Sequence, residues 1–408
     1  MALSLRRNAV WAFLGEGVFA ACHWGSLIVL SRLAGPEELG RYALALAVVL
    51  PIMQFGGMQM RQLQVADAAQ NYPFQDYFAV RLASTVCAGL IILLIAVFGY
   101  AWPIGVPMLL VGLARGFENL SDVHYGLAQR HRRLDLVAQS MMLRGVLGLA
   151  ALGLGYYLTR DLGASLIGMA AVWGLIWWFF DRAATTRWRT AAPAAGAMLN
   201  RRVRLAWTAL PLGIALMLVT LSPNIPRYFV EAMIGLSALG IFVAAAHFVI
   251  AGRMVANSVC QAALPRLADL YAAGNLAGFR HLLMSLLGVS VLLGLAGLLI
   301  AVTFGRELLS HIYGPQFAEG ADVFVWVMVV GVVLYLQTPF DYALTAMHQF
   351  KVQPLIFGLA VAVNFALCLA LVPRYGLFGA TLGWLGAALC QFVLAAGVQQ
   401  VRLHRLRD

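Results

Sequence analysis

An apolar chain that repeats itself in outline has few folds open to it. Gly35, Leu39, Gly40 and Tyr42 are answered about 200 positions later by Gly235, Leu239, Gly240 and Phe242. Tyr125-x-Leu127-x3-His131 is answered by Tyr342-x-Leu344-x3-His348, and Gly163-Ala164-Ser165-Leu166 by Gly379-Ala380-Thr381-Leu382, at an offset that drifts to about 216. In a membrane chain, such a repeat predicts two similar helical bundles facing each other across a pseudo-symmetry axis, with the substrate path between them. Transporters have this architecture.

Composition supports the membrane reading, with 62% of residues hydrophobic and 11% charged. A bilayer core of roughly 30 Å takes about 20 helical residues to cross. By that measure about twelve spans are expected, near 9–31, 41–65, 78–100, 104–128, 137–158, 162–180, 205–229, 235–263, 281–303, 321–345, 353–372 and 377–399. Backbone polar groups must be paired in lipid, and stretches this long and apolar are helices rather than barrel strands. The expected fold is an all-α integral membrane protein of two six-helix lobes, 1–181 and 205–408, with 182–204 between them as a cytoplasmic linker. That linker combines arginines with Pro193 and Gly196 and suits an amphipathic helix on the inner leaflet. The stretches 67–76, 264–280 and 303–320 read as ordinary loops, none large enough for a separate catalytic domain.

Arg6 and Arg7 precede the first apolar run, but that run is longer than the apolar core of a signal peptide and contains Glu16 and His23, so it reads as the first helix. With the N-terminus inside, the inner loops carry Arg130, Arg132, Arg133, Arg182, Arg187, Arg189, Arg201, Arg202, Arg204, Arg266, Arg280, Lys351, Arg402, Arg405 and Arg407. The outer loops carry only Arg32, Arg41, Arg160, Arg306 and Arg374. Both termini are therefore expected in the cytoplasm. The net charge of +11 reports topology and contact with anionic lipid rather than nucleic-acid binding. The five cysteines fall within predicted spans, lack metal or redox spacing, and read as packing residues.

Function in such a chain resides in the polar residues that hydrocarbon makes expensive. The 41–65 span carries Gln54, Gln59 and Arg61 after Pro51, Gly56 and Gly57. The 104–128 span carries Arg115, Glu118, Asn119 and Asp122 at i, i+3, i+4 and i+7, a continuous stripe. The 235–263 span carries His247, and Arg253, Asn257 and Gln261 at four-residue steps. Glu16 and His23 lie on the first span, Arg144 on the fifth and Asp341 on the tenth. The stripe reads equally as an intrahelical ion pair, and Arg144 as the partner of Glu118 or Asp122. His23 and His247 read more simply as packing histidines. Arg61 and Arg253 have no acid at helical spacing, which points to a cavity-facing role, with snorkelling to the interface as the plainer reading. Uncompensated guanidinium matches phosphate oxygens, so convergence of these two on a phosphate or pyrophosphate is expected. Glu16, Glu118, Asp122 and Asp341 are candidates for a coupling proton or sodium ion; no other cofactor is expected. Ser222, Pro223 and Pro226 break the 205–229 span as Pro51, Gly56 and Gly57 break the 41–65 span, supplying hinges. Trp173, Trp177 and Trp178 read as interfacial anchors.

Four stretches carry a family resemblance across nearly the whole chain: LSRLAGPEELGRYALALA from Leu30 to Ala47, ENLSDVHYGLAQRHRRLDLVAQSMMLRG from Glu118 to Gly145, NIPRYFVEAMIGLSALGIFVAAAH from Asn224 to His247, and QAALPRLADLY from Gln261 to Tyr271. In order and together they resemble the polysaccharide flippases of the multidrug/oligosaccharidyl-lipid/polysaccharide exporter superfamily. The resemblance implies movement of oligosaccharide on polyprenyl pyrophosphate from the inner to the outer leaflet of a bacterial cytoplasmic membrane, through an arginine-lined cavity and by alternating access. It implies site positions at Arg61 and Arg253, with Arg227 in a matching motif near the outer surface. Partnership with other polysaccharide assembly proteins is expected, and a monomer, since each chain already contains both lobes. The lipid-II branch carries two further C-terminal helices, so O-antigen of lipopolysaccharide, capsule or exopolysaccharide units are expected rather than peptidoglycan precursor. Two other readings stand beside it: a cation-coupled small-molecule exporter of the same fold, and a membrane polymerase or glycosyltransferase. The arginine excess argues against the first and the short outer loops against the second. No phosphate-binding G-x4-G-K-[ST] loop is present.

Overall fold

The computed structural model describes residues 4–67, 69–188, 198–349 and 352–404, and every regular element among them is helical. Arg189, Pro193, Gly196, Lys351, Arg405 and Arg407, named above, lie outside the described residues, as does the centre of the expected linker helix. The chain forms two compact units.

The first unit, Met1–Ala34 with Arg41–Thr220, holds most of α1 (Leu5–Gly57), then α2 (Met60–Ala66), α3 (Phe74–Gly99), α4 (Trp102–Arg130), α5 (Leu134–Thr159) and α6 (Leu162–Leu175). A π-helical turn (Ile176–Asp181), the short α7 (Arg182–Thr185) and nearly all of α8 (Met198–Leu221) complete it. At its centre, α4 packs on α2, α3, α5 and α6. The unit continues through residues 205–220, beyond the lobe boundary expected at 204. Leu205 and Ala209 join Met60, Tyr77 and Val123 in one buried apolar cluster, and Arg201 and Arg202 both bind the buried carboxylate of Asp76, at 2.9 and 3.0 Å. The 198–204 part of the expected linker is thus the first turns of a long helix.

The second unit, Gly35–Gly40 with Leu221–Asp408, holds a 3-10 turn (Ser222–Asn224), α9 (Ile225–Met233), α10 (Leu236–Ala272), α11 (Leu276–Tyr313), a 3-10 stretch (Pro315–Gly320), α12 (Ala321–Ala346) and α13 (Gln353–His404). Here α12 is central, packed on α10, α11 and α13. The helical break at Ser222 frees a carbonyl, and Asn364 donates to it at 2.7 Å, which satisfies the group where water is absent.

The sequence repeat has a structural counterpart. The central helices α4 and α12 carry Tyr125 and Tyr342 of the shared motif. Ser165 and Thr381 each donate to the carbonyl four residues back, at 2.7 and 3.0 Å. Gly35 and Gly235 both take positive φ, +83° and +115°, where a Cβ is strained. Within the second unit Gly40 and Gly240 meet reciprocally: a Cβ at Gly40 would collide with the Leu236 carbonyl, and one at Gly240 with the Pro36 carbonyl.

Among the described residues nine helical stretches are long and apolar enough to cross a membrane, against the twelve spans expected. The difference has physical causes. The 53-residue α1 and 52-residue α13 each run through a glycine break, at Gly35 and Gly376, so pairs of expected spans merge. The charged stripe of α4 keeps that 29-residue helix out of the apolar set. The expected loop at 264–280 shrinks to residues 273–275, and α11 extends into the expected 303–320 loop as far as Tyr313, because helices continue beyond their apolar windows. Only 22% of the apolar window is buried in α3 and in α11, against 50% in α10; outward side chains such as Phe98, Leu292 and Leu299 are exposed. Apolar surface on this scale belongs against lipid, and the chain is a multi-pass membrane protein.

The connection from α2 to α3 is organised by Asp67. Its Oδ1 accepts from the Asn71 backbone and side-chain amides at 3.0 Å, and its Oδ2 from the Tyr72 amide and Tyr77 hydroxyl at 3.1 Å. Partial burial pushes this carboxyl up, but those donors more than offset it and hold it below the ordinary range.

Candidate functional site

Helical spacing puts Arg115, Glu118, Asn119 and Asp122 on one face of α4, and all four line a cavity of about 220 Å³ in the first unit. Gln54 and Gly57 of α1, Gln59, Arg61 and Gln62 at the start of α2, Arg81 of α3, and Tyr125 and Arg144 also face it. The lining has four arginines and two carboxylates, an excess of positive charge.

The arginines differ in what holds them. Arg115 Nη1 pairs with Glu118 Oε2 at 2.7 Å on the same helix, and its guanidinium lies 5.4 Å from the Trp173 ring centre. Arg81, whose side chain is 2% exposed, pairs with Asp122 across α3 and α4. Asp122 also faces Arg61, at 3.8 Å; Arg61 Nε donates to Gln129 at 2.9 Å and the group lies 5.8 Å from the Tyr125 ring centre. Arg61 therefore has an acidic neighbour, supplied by another helix where no spacing along its own reveals it. Gln54 is exposed toward the cavity, and Asn119 donates to the Met53 carbonyl at 3.1 Å, tying α4 to α1.

Arg144 departs from its expected partners. It pairs with Asp181 at 3.2 Å and donates to Ser121 at 2.6 Å, with Arg144 and Asp181 side chains 1% and 2% exposed. Asp181 is the last residue of the π-helical turn, and such turns are frequent at functional sites. Trp173 is also buried, 5.5 Å from Arg144 and 6.1 Å from Phe19. It is a wall of this network rather than an interfacial anchor. Trp178 is exposed and holds Arg182 over its ring at 3.9 Å.

The helix break near Arg61 falls after the expected glycines. Met58 and Gln59 are consecutive left-handed residues, both at φ +47°, with the Met58 amide still bonded to Gln54 and Phe55 carbonyls. Such conformations cost of order 1–3 kcal/mol each, and here they re-aim the chain so that Gln59, Arg61 and Gln62 all line the cavity. A Cβ at Gly57 would stand 2.8 Å from Arg81 Nη1, so glycine leaves room for that guanidinium.

The remaining candidates lie elsewhere. His23 lines a separate pocket of about 20 Å³ with Tyr42, Arg144 and Trp173, and Glu16 is exposed outside the cavity lining. In the second unit, Asp341 accepts from Gln337 at 3.0 Å and lies within electrostatic reach of Arg253. The acid within reach of Arg253 is thus on a different helix, α12. Asn257 is half-buried and Gln261 exposed. Arg227, expected near the outer surface, is 7% exposed and its Nε lacks a hydrogen-bond partner among the described residues. His247 bonds to the Val243 carbonyl of its own helix. Arg81 and Asp181 are the site residues that sequence reasoning missed. The available signal was a charge inside, or at the end of, an apolar span.

Known proteins match this chain at several levels. The family described as "Polysaccharide biosynthesis protein" matches residues 5–271. The capsular polysaccharide biosynthesis protein CapF of Staphylococcus aureus is 25% identical over 379 residues, 92% of this chain and 94% of that protein. Among solved structures, the lipid II flippase MurJ in an inward closed conformation aligns with a TM-score of 0.74 at 10% identity, over 96% of this chain and 87% of MurJ. An inward-facing multidrug resistance transporter of the MATE family in the MOP superfamily aligns at 0.67 and 11% identity, over 100% of this chain and 96% of its own.

Proposed function

The chain belongs to the polysaccharide biosynthesis protein family, and from that premise we propose that it flips oligosaccharide carried on polyprenyl pyrophosphate across the cytoplasmic membrane of a bacterium by alternating access. The cargo is a repeat unit of capsule, O-antigen or exopolysaccharide. The observation that carries this reading is the cationic cavity, where four guanidiniums meet two carboxylates. A sugar pyrophosphate cannot cross hydrocarbon alone, because its charge and hydroxyls would lose their hydration. Arg61 offers the planar donor fork that pyrophosphate oxygens match, and Arg81 and Arg115 add field from behind. At about 220 Å³ the cavity is smaller than the roughly 300–1,000 Å³ of sites for drug-sized ligands. It suits the charged end of the cargo, with the prenyl tail left in lipid. Arg253, set against Asp341, is the corresponding candidate in the second unit.

The test is mass spectrometry of surface glycan and prenyl-pyrophosphate-linked oligosaccharide in a strain lacking this protein, complemented with wild type, Arg61→Ala or Arg61→Lys. Loss of surface polymer with complete lipid-linked units accumulating inside is expected for the deletion and for Arg61→Ala, with membrane insertion intact. Arg61→Lys should restore part of the polymer, since it keeps the charge and loses the fork. Unchanged glycan without accumulation in the deletion strain would favour the small-molecule exporter instead.

A further inference from the structure

A second cavity of about 470 Å³ opens in the first unit, on the far side of α2 from the one described above. The seven-residue α2 separates them: Arg61 and Gln62 line the first, and Gln64 lines the second. Arg130 and His131 at the end of α4 and Arg201 at the start of α8 supply cationic or protonatable groups, and no carboxylate is among the described lining residues. Trp188 closes a wall by stacking on His131, with ring centres 4.6 Å apart and planes 11° from parallel.

Three observations point to an anion here. Gln64 is 1% exposed, yet among the described residues neither its amide nitrogen nor its amide oxygen has a hydrogen-bond partner. An orphaned buried amide costs about 1–3 kcal/mol unless something at the site satisfies it. Arg201 Nη2 is also buried without a partner among the described residues, although Nε of the same group binds Asp76. Asp76 is shared with Arg202, so one carboxylate serves two guanidiniums and positive charge is left over. Third, Pro73 and Phe74 at the N-terminus of the 26-residue α3 line the cavity, and the helix dipole favours negative charge at that end. The floor is fixed by the Asp67 loop, to whose backbone carbonyl Arg130 donates at 3.1 Å.

We propose that this pocket binds the phosphate ester of a lipid, held by Arg201, Arg130 and Gln64. It is a site additional to the headgroup cavity, and it does not depend on which cargo is flipped. Two sources share this chemistry: an anionic phospholipid and a prenyl pyrophosphate.

The full chain, purified in detergent, is titrated with short-chain phosphatidylglycerol, short-chain phosphatidylcholine and geranyl pyrophosphate, and bound molecules are counted by native mass spectrometry. Arg61→Ala, in which the headgroup cavity has lost its fork, is compared with the same chain carrying Arg201→Gln or Gln64→Met as well, with thermal melting as the check of folding. Gln64→Met keeps the side-chain length and removes only the amide. The expected result is one molecule of phosphatidylglycerol or geranyl pyrophosphate held in preference to phosphatidylcholine. In the Arg61→Ala background its affinity should fall roughly tenfold or more on adding Arg201→Gln or Gln64→Met. The anionic ligand that binds more tightly identifies the source. Equal binding by Arg61→Ala with and without a folded Gln64→Met, or no anion held once Arg61 is removed, overturns the site. Neither result bears on glycan export, so failure here is separable from failure of the flippase reading.

Discussion

Arg81 shows what a single residue contributes and why a sequence conceals it. Its guanidinium is 2% exposed and pairs with Asp122 from the neighbouring helix. Breaking such a pair from one side leaves a charge in a dry environment, at a cost of about 3–5 kcal/mol, whereas replacing both partners with apolar groups is often close to neutral. Arg81→Ala should therefore lower the melting temperature and the yield of folded protein. The double variant Arg81→Met with Asp122→Leu should recover stability without recovering glycan export. A double variant no more stable than Arg81→Ala would show that the pair is not the source of the loss. The α4 stripe was legible because its members recur at helical spacing on one element. Partners across helices, Arg81 with Asp122, Arg144 with Asp181 and Arg61 with Asp122, have no signature along the chain, so Arg61 reads as uncompensated until the fold is seen.

Helices that cross a membrane were legible from hydropathy, but their ends and joints were not. A hydropathy window registers where lipid would be, and α10 and α11 continue past it on polar turns. The π-helical turn at Ile176–Asp181 begins with five apolar residues, so no change of period marks it, although it sets the direction of Asp181. Glycines are different, because their positions in the repeat forecast a backbone need. Gly40 and Gly240 each face a carbonyl so closely that a methyl group must displace it, and overpacking of this kind costs typically 1–3 kcal/mol. Gly40→Ala and Gly240→Ala should lower the melting temperature by similar amounts, since the two contacts are reciprocal. Gly17→Ala, which meets nothing within 4 Å, is the control. A shift confined to one of the pair would deny the equivalence.

For the molecule as a whole, the repeat and the excess of arginine at one set of loops were the informative signals, and they lead to a topology that is directly measurable. With both termini inside, a fluorescent protein fused after Asp408 should fluoresce and an alkaline phosphatase fused there should stay inactive; the reverse pattern would invert the orientation. How quickly such a molecule turns over depends on release as much as on capture. Arg61 faces Asp122 at 3.8 Å. Under the proposed function, a phosphate arriving there would exchange one carboxylate neighbour for another anion, so the net gain would be the difference between two pairings rather than the full strength of one. Under that same proposed function the resident carboxylate would be an internal competitor that moderates affinity and reclaims the guanidinium as cargo leaves, as suits a carrier that must bind at one leaflet and let go at the other.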